Sequence, residues 1–152
     1  MHHTNHHPVV LLASASPRRS ELLRQIEVEH HIIQVPSGPG EDEPRLKGEP
    51  PLDYVLRTAN DKAKRAIEWI NTVETKAQFL SDINALEIPH SSLIILTADT
   101  TVCIGEQILG KPKDQQDARE ILKTLSANTH LVHTAVVVTR ASRQWSAIST
   151  TE

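Results

Sequence analysis

Three separated stretches of the chain carry side chains suited to handling a polyanion. In Leu12–Leu23 (LASASPRRSELL), Arg18 and Arg19 fall in the first turn of a predicted helix, where the macrodipole disfavours cations. Two adjacent arginines there are locally unfavourable unless an anion sits in front of them. Backbone N–H groups, the hydroxyls of Ser14 and Ser16 and two guanidinium forks together suit a phosphate. The alternative is a pair of solvated arginines with carboxylate partners. The stretch lacks both the Gly-rich Lys-Ser/Thr pattern of a P-loop and the three-glycine dinucleotide fingerprint. The second feature is Lys62, at the margin of an apolar helical stripe and between the small residues Ala59 and Ala66. A lysine so placed either snorkels outward or points into a cleft at an anion. The third is Ala98-Asp99-Thr100-Thr101, where a carboxylate terminates an apolar strand. There it would hold a divalent metal, act as general base on water, or serve as a plain turn residue.

Other chemistry-bearing residues read more blandly. Lys111, between Gly110 and Pro112, is by itself a surface lysine on an extended loop. The triplet Glu41-Asp42-Glu43 is either a solvated run or a source of oxygen ligands for Mg²⁺ or Mn²⁺. Cys103, flanked by Val102 and Ile104, reads as a small core hydrophobe and not a nucleophile. His130 and His133 are three apart, so in a strand they face opposite sides and do not chelate one metal. No Ser/His/Asp triad can be assembled.

The elements that must position these residues follow from apolar patterning. Val9–Ala13 is a continuous apolar run, the pattern of a strand covered on both faces. Ser16 and Pro17 then read as N-cap and N1 of a helix with Leu22, Leu23 and Ile26 on its apolar side. A short strand is expected at His31–Val35, followed by a Pro/Gly loop over Pro36–Pro51. Asp53 is expected to cap a long helix to Ile70, with Val55, Ala59, Ala63, Ala66, Ile67 and Ile70 inward. Asn71–Ser92 is polar, with Ala77, Leu80 and Leu86 allowing a helical fragment. Leu93–Ala98 is a buried-type strand, and Thr101–Ile104 is its extension or a neighbour. A turn follows at Gly105-Glu106. Asp114 caps a helix carrying Ala118, Ile121, Leu122 and Leu125, His130–Thr139 is β-rich, and the chain ends in a polar tail. Alternating strands and helices argue an α/β fold with a mainly buried sheet.

Composition narrows the class. The 152 residues suit one domain, and with only two Trp, one Tyr and one Phe its core must be aliphatic. A single cysteine excludes a disulfide framework. A net charge of −3 argues against wholesale binding to nucleic acid or an anionic membrane, and the scarce aromatics argue against base stacking. No apolar run reaches the roughly 18–20 residues of a membrane span, and the N-terminus does not read as a secretory signal. A soluble, cytoplasmic domain over 9–152, behind a disordered His-rich tail at 1–8, is therefore expected.

Taken in order, Leu12–Leu23, Tyr54–Lys64 (YVLRTANDKAK), Ala98–Val102 (ADTTV), Ile108–Lys113 (ILGKPK) and Asp117–Thr134 (DAREILKTLSANTHLVHT) resemble the Maf family of nucleoside triphosphate pyrophosphatases. The resemblance runs from about Val9 to Thr139. It implies a mixed, mainly buried sheet flanked by helices, an ITPase-like α/β fold. It also implies hydrolysis between the α and β phosphates of a nucleoside triphosphate, dTTP, UTP or a modified nucleotide, to monophosphate and pyrophosphate. Under that resemblance Asp99, Lys62 and Lys111 would be catalytic, and Ser14, Ser16, Arg18, Arg19 and Thr100 would bind substrate. Glu43 and Asp99 would hold Mg²⁺ or Mn²⁺, and homodimers are usual in the family. Family members continue beyond the stretches matched here with a segment resembling DKAGAYGIQG, so a domain incomplete at its C-terminus is implied. A catalytically impaired, nucleotide-binding or regulatory fragment is the alternative.

Overall fold

The computed structural model describes residues 8–37, 44–72 and 92–152. The His-rich segment 1–7, the acidic triplet with Glu43, and the helical fragment expected within 73–91 lie outside the described residues.

The first apolar run forms strand β1 (Val9–Ala13), and helix α1 (Pro17–Gln25) follows three residues later. Ser16 is its N-cap in extended backbone (φ −79°, ψ 113°) and Pro17 fills the first turn, where a missing N–H costs nothing. The Ser16 hydroxyl makes no capping bond. Burial on α1 differs from expectation: Ser20 is its buried residue, while Leu22 and Ile26 stay 53% and 67% exposed. Strand β2 (His30–Ile33) lies parallel to β1, starting one residue earlier than its apolar pattern suggested.

Helix α2 (Pro51–Ile70) is the main packing element. It starts two residues before Asp53, because Pro51 at the first position needs no partner for an N–H it lacks. Asp53 instead sits in the first turn, where a carboxylate complements the dipole. Val55, Ala59, Ala63, Ala66 and Ile70 are all buried against the sheet. Three alanines on this face let the helix axis approach the strands closely.

Strand β3 (Leu93–Ile104) is one continuous twelve-residue strand, so the two expected pieces are joined. Strand β4 (Gln107–Leu109) folds back on it across a turn in which Gly105 has φ 54°. Helix α3 (Gln115–Ser126) starts at Asp114, whose carboxylate accepts from the Asp117 N–H at 2.8 Å, as its spacing predicts. Its apolar face is only partly covered: Ala118, Ile121 and Leu125 are half-buried, Leu122 is exposed, and no α3 residue is fully buried. Strands β5 (Leu131–Arg140) and β6 (Arg143–Thr151) form a hairpin, with Ala141 in the left-handed region (φ 52°). The polar tail is thus a strand. Its Trp, Ile and Thr residues suit extended backbone, and pairing with β5 supplies the order that burial does not.

The sheet order is β2-β1-β3-β5-β6, with β4 also on β3. β1 is parallel to β2 and β3, and the β3, β4, β5 and β6 pairings are antiparallel. Two contiguous clusters make the core under α2: Leu11, Ile33, Ala66, Ile70, Leu93 and Ile95, then Val55, Ala59, Ala63, Ala135 and Val137. Along β3 and β5 burial alternates, because α2 covers one face. Every residue of β6 is exposed.

One detail of register shapes the site. β1 pairs with β3 only up to Leu12↔Leu96, and β4 takes the same edge of β3 only from Val102. Between them, residues 97–101 of β3 have no strand partner on that edge among the described residues, while β5 continues along the other. Asp99 and Thr100 sit in this notch.

Candidate active site

Asp99 does not end its strand, as expected from the sequence, but lies in the middle of β3. The element that ends is β1, and this opens the strand edge around the carboxylate. Alternation along β3 puts Asp99 on the face covered by α2, with Thr97 and Thr101. Thr97 donates from Oγ1 to the Ala59 carbonyl at 3.1 Å, tying strand to helix next to the site.

Two side chains from one face of α2 meet Asp99. Lys62 Nζ pairs with Oδ1, and Thr58 donates its hydroxyl to Oδ2 at 2.7 Å. Lys62 resolves to the inward of its two options, pointing at an anion from the margin of the apolar stripe. The Asp99 side chain is 17% exposed and that of Lys62 35%, so the pair is partly desolvated yet reachable from solvent.

Arg19 enters from α1. Its Nη1 donates to Ser14 Oγ at 3.1 Å and its Nη2 to Thr100 Oγ1 at 3.4 Å. Thr100 Oγ1 lies 3.1 Å from Thr134 Oγ1 on the opposing strand. The guanidinium therefore spans the notch from the β1 loop to β3. Burial pushes its pKa down, and the charge of Asp99 pulls the other way. Ser14 Oγ also accepts from the Ser16 N–H at 3.2 Å, which fixes the loop ahead of α1.

The structure thus brings together Ser14, Arg19, Lys62, Asp99 and Thr100. Ser16 sits beside them through its backbone. Arg18 is exposed at the start of α1, with no side-chain partner among the described residues. Lys111 lies exposed on the loop between β4 and α3, with no hydrogen bond or ion pair to any of the five among the described residues. Glu43 lies outside the described residues. Sequence reasoning missed Thr58 and Thr134. The first was findable, since it precedes Lys62 by four residues and shares its helix face. The second depends on the β3–β5 register, Thr100↔Thr134, which no local pattern encodes.

Two neighbouring features are structural. Cys103 is 1% exposed, with its Sγ 3.4 Å from His133 Nε2, and burial pushes its thiol pKa up. That is the setting of an inert core thiol, in line with its apolar flanks. His133 is buried as well, its Nδ1 2.8 Å from Thr150 Oγ1, whereas His130 precedes β5. The segment 44–50, leading into α2, is held by charge. Arg57 Nε donates to Glu49 Oε1 at 2.6 Å, and Arg45 donates to the carbonyls of Glu49 and Glu106, each at 2.7 Å. With its bond to Arg57 as the main cause, the Glu49 carboxyl pKa is pulled down to about 2.

A mixed sheet with a carboxylate beside a sheet notch, flanked by cations from two different helices, defines a class of α/β domain with a charged cleft at a sheet edge. Within that class the chain belongs to the Maf-like protein family, whose pattern it matches over residues 9–152. It is 44% identical over 147 residues to a dTTP/UTP pyrophosphatase of Bordetella avium, an alignment covering 97% of this chain and 66% of the relative. It is 46% identical over 136 residues to the dTTP/UTP pyrophosphatase of Bordetella parapertussis, covering 90% and 58%. A third, from Anaeromyxobacter dehalogenans, is 40% identical over 133 residues, covering 88% and 54%. The chain therefore spans between about half and two-thirds of the length of these curated relatives. Among the described residues, no helix is long and apolar enough to cross a membrane.

Proposed function

We propose that the protein is a nucleoside triphosphate pyrophosphatase. It would hydrolyse the α–β phosphate bond of dTTP, UTP or a modified nucleotide and release a nucleoside monophosphate and pyrophosphate. The observation that carries the reading is the Lys62–Asp99 pair in the notch with Arg19 alongside. The names of the relatives point the same way. Arg19 and Lys62 bind the phosphates and neutralise the charge that builds up as the bridging P–O bond breaks. Arg18 and Lys111 would add positive charge, as the resemblance implies. When Lys62 turns from Asp99 to a phosphate, the carboxylate oxygen it leaves can take the proton of the attacking water. Ser14, Ser16 and Thr100 set the position of the chain, and holding it in line with the water supplies the rest of the rate.

The family resemblance also implies a divalent cation, Mg²⁺ or Mn²⁺. No three His, Cys, Asp or Glu side chains cluster among the described residues. Asp99 would hold such an ion, together with Glu43 as the resemblance implies; an ion of this kind needs few protein ligands and takes the rest of its oxygen shell from phosphate and water. Such an ion supplies charge neutralisation and polarisation of phosphate oxygens. A cytoplasmic location and pairing of two copies belong to the same proposal.

The test is to incubate the purified chain with Mg²⁺ or Mn²⁺ and a panel of nucleoside triphosphates. Pyrophosphate is the expected product, and Asp99→Asn is expected to abolish turnover. Release of orthophosphate rejects the bond assigned. Nucleotide binding without hydrolysis, read by calorimetry, rejects the enzyme reading in favour of a binding protein.

A further inference from the structure

We propose that Thr58 is the positioning residue of Asp99: by holding Oδ2 it leaves Oδ1 as the working oxygen. The inference rests on Asp99 being the base and deepens that reading. Thr58 is 2% exposed, and its hydroxyl has two acceptors in reach, Asp99 Oδ2 at 2.7 Å and the Val55 carbonyl at 3.0 Å. A hydroxyl carries a single proton. A helical threonine ordinarily gives it to a carbonyl of the preceding turn. Here a carboxylate is both nearer and the stronger acceptor, so the proton goes to Asp99.

The two grips on the carboxylate differ in kind. Lys62 holds Oδ1 from a flexible four-carbon stem and is partly exposed, so it can leave for a phosphate. Thr58 is buried and β-branched, with few rotamers open to it, so it stays when substrate arrives. A carboxylate with one oxygen fixed cannot swing about its terminal torsion. Its other oxygen therefore remains aimed where Lys62 had been, beside the notch. This positions the base by a contact made in the ground state and kept through the reaction.

The experiment compares Thr58→Val and Thr58→Ser in this chain, with the nucleotide turned over by the wild type and with thermal melts alongside. Thr58→Val is expected to lower kcat by about tenfold with KM within about twofold, and Thr58→Ser to recover most of the loss. Wild-type kcat in Thr58→Val overturns the proposal. So does a Thr58→Ser variant as slow as Thr58→Val, which would mean that the methyl group and not the O–H matters. If Thr58→Val does not melt cooperatively, Thr58→Ala against Thr58→Ser carries the same comparison. If the wild type turns over no nucleotide, the functional reading fails instead, and the contact is read by stability. The fall in melting temperature caused by Thr58→Val should then vanish in the Asp99→Ala background, and an undiminished fall overturns the proposal.

Discussion

At the scale of single residues the candidate site is a matter of which donors reach which oxygens. Arg19 is the clearest case. A planar guanidinium can serve Ser14 and Thr100 from separate nitrogens, one on each side of the notch. A lysine would keep the charge but offers one compact head and cannot span both. Arg19→Lys is therefore expected to raise KM for nucleoside triphosphate by about tenfold with a small change in kcat. Steady-state kinetics read this directly, and an unchanged KM would show that charge alone suffices at that position. Much of this chemistry was legible in the chain, because paired arginines in a first helical turn and a lysine at the rim of an apolar stripe are local anomalies. Thr134 was not legible: only the pairing of distant strands sets it opposite Thr100.

Elements supply what single residues cannot, the angle at which helix and strand meet. The stripe Ala59-Ala63-Ala66 brings α2 close to β3 and β5, so that Thr58 and Lys62 arrive at Asp99 from above. The start of α2 is braced from outside by the pair of Arg57 and Glu49, the latter a carboxylate only 8% exposed at its side chain. The Glu49 carboxyl is held at about 2, against an ordinary value of 4.5. A carboxyl depressed in the folded state binds fewer protons folded than unfolded, so its contribution is complete above pH 4.5 and is lost as pH falls toward 2. The expected outcome is a melting temperature that drops through this window in the wild type. In Glu49→Gln the melting temperature should already be lower at neutral pH and should fall less steeply on acidification, and parallel curves would show that the brace contributes nothing. The α2 periodicity announced the helix, and Pro51 carries the same first-turn signal as Pro17, so the earlier start was legible; the bracing pair was not, since it joins charges eight residues apart.

For the whole molecule, order is distributed unevenly, and the sheet explains how. β3 is paired along both edges over part of its length and lies beneath α2, while β6, among the described residues, is paired only to β5 and buries none of its residues. The last strand therefore looks like a polar tail from its residues alone: its sequence carries no burial signal, and its order comes from a neighbour's backbone. The same fact sets its energetics. Backbone bonds shielded by little apolar surface open without the cost of exposing a core, whereas opening β3 exposes Ile95, Thr97 and Cys103, all buried. Amide exchange in this chain should therefore be graded across the sheet, with the β5-bonded amides of Arg143–Thr151 exchanging at least about tenfold faster than those of β3 facing β5. Two contacts act against the gradient at single points: Gln144 donates to Asn60 Oδ1 at 2.7 Å, and Thr150 lies against His133. Their neighbourhoods should exchange more slowly than the middle of the strand. Residue-resolved exchange would distinguish the cases. Equal protection of β6 and β3 would mean that the hairpin opens only with the rest of the sheet, and that backbone pairing outweighs side-chain burial there.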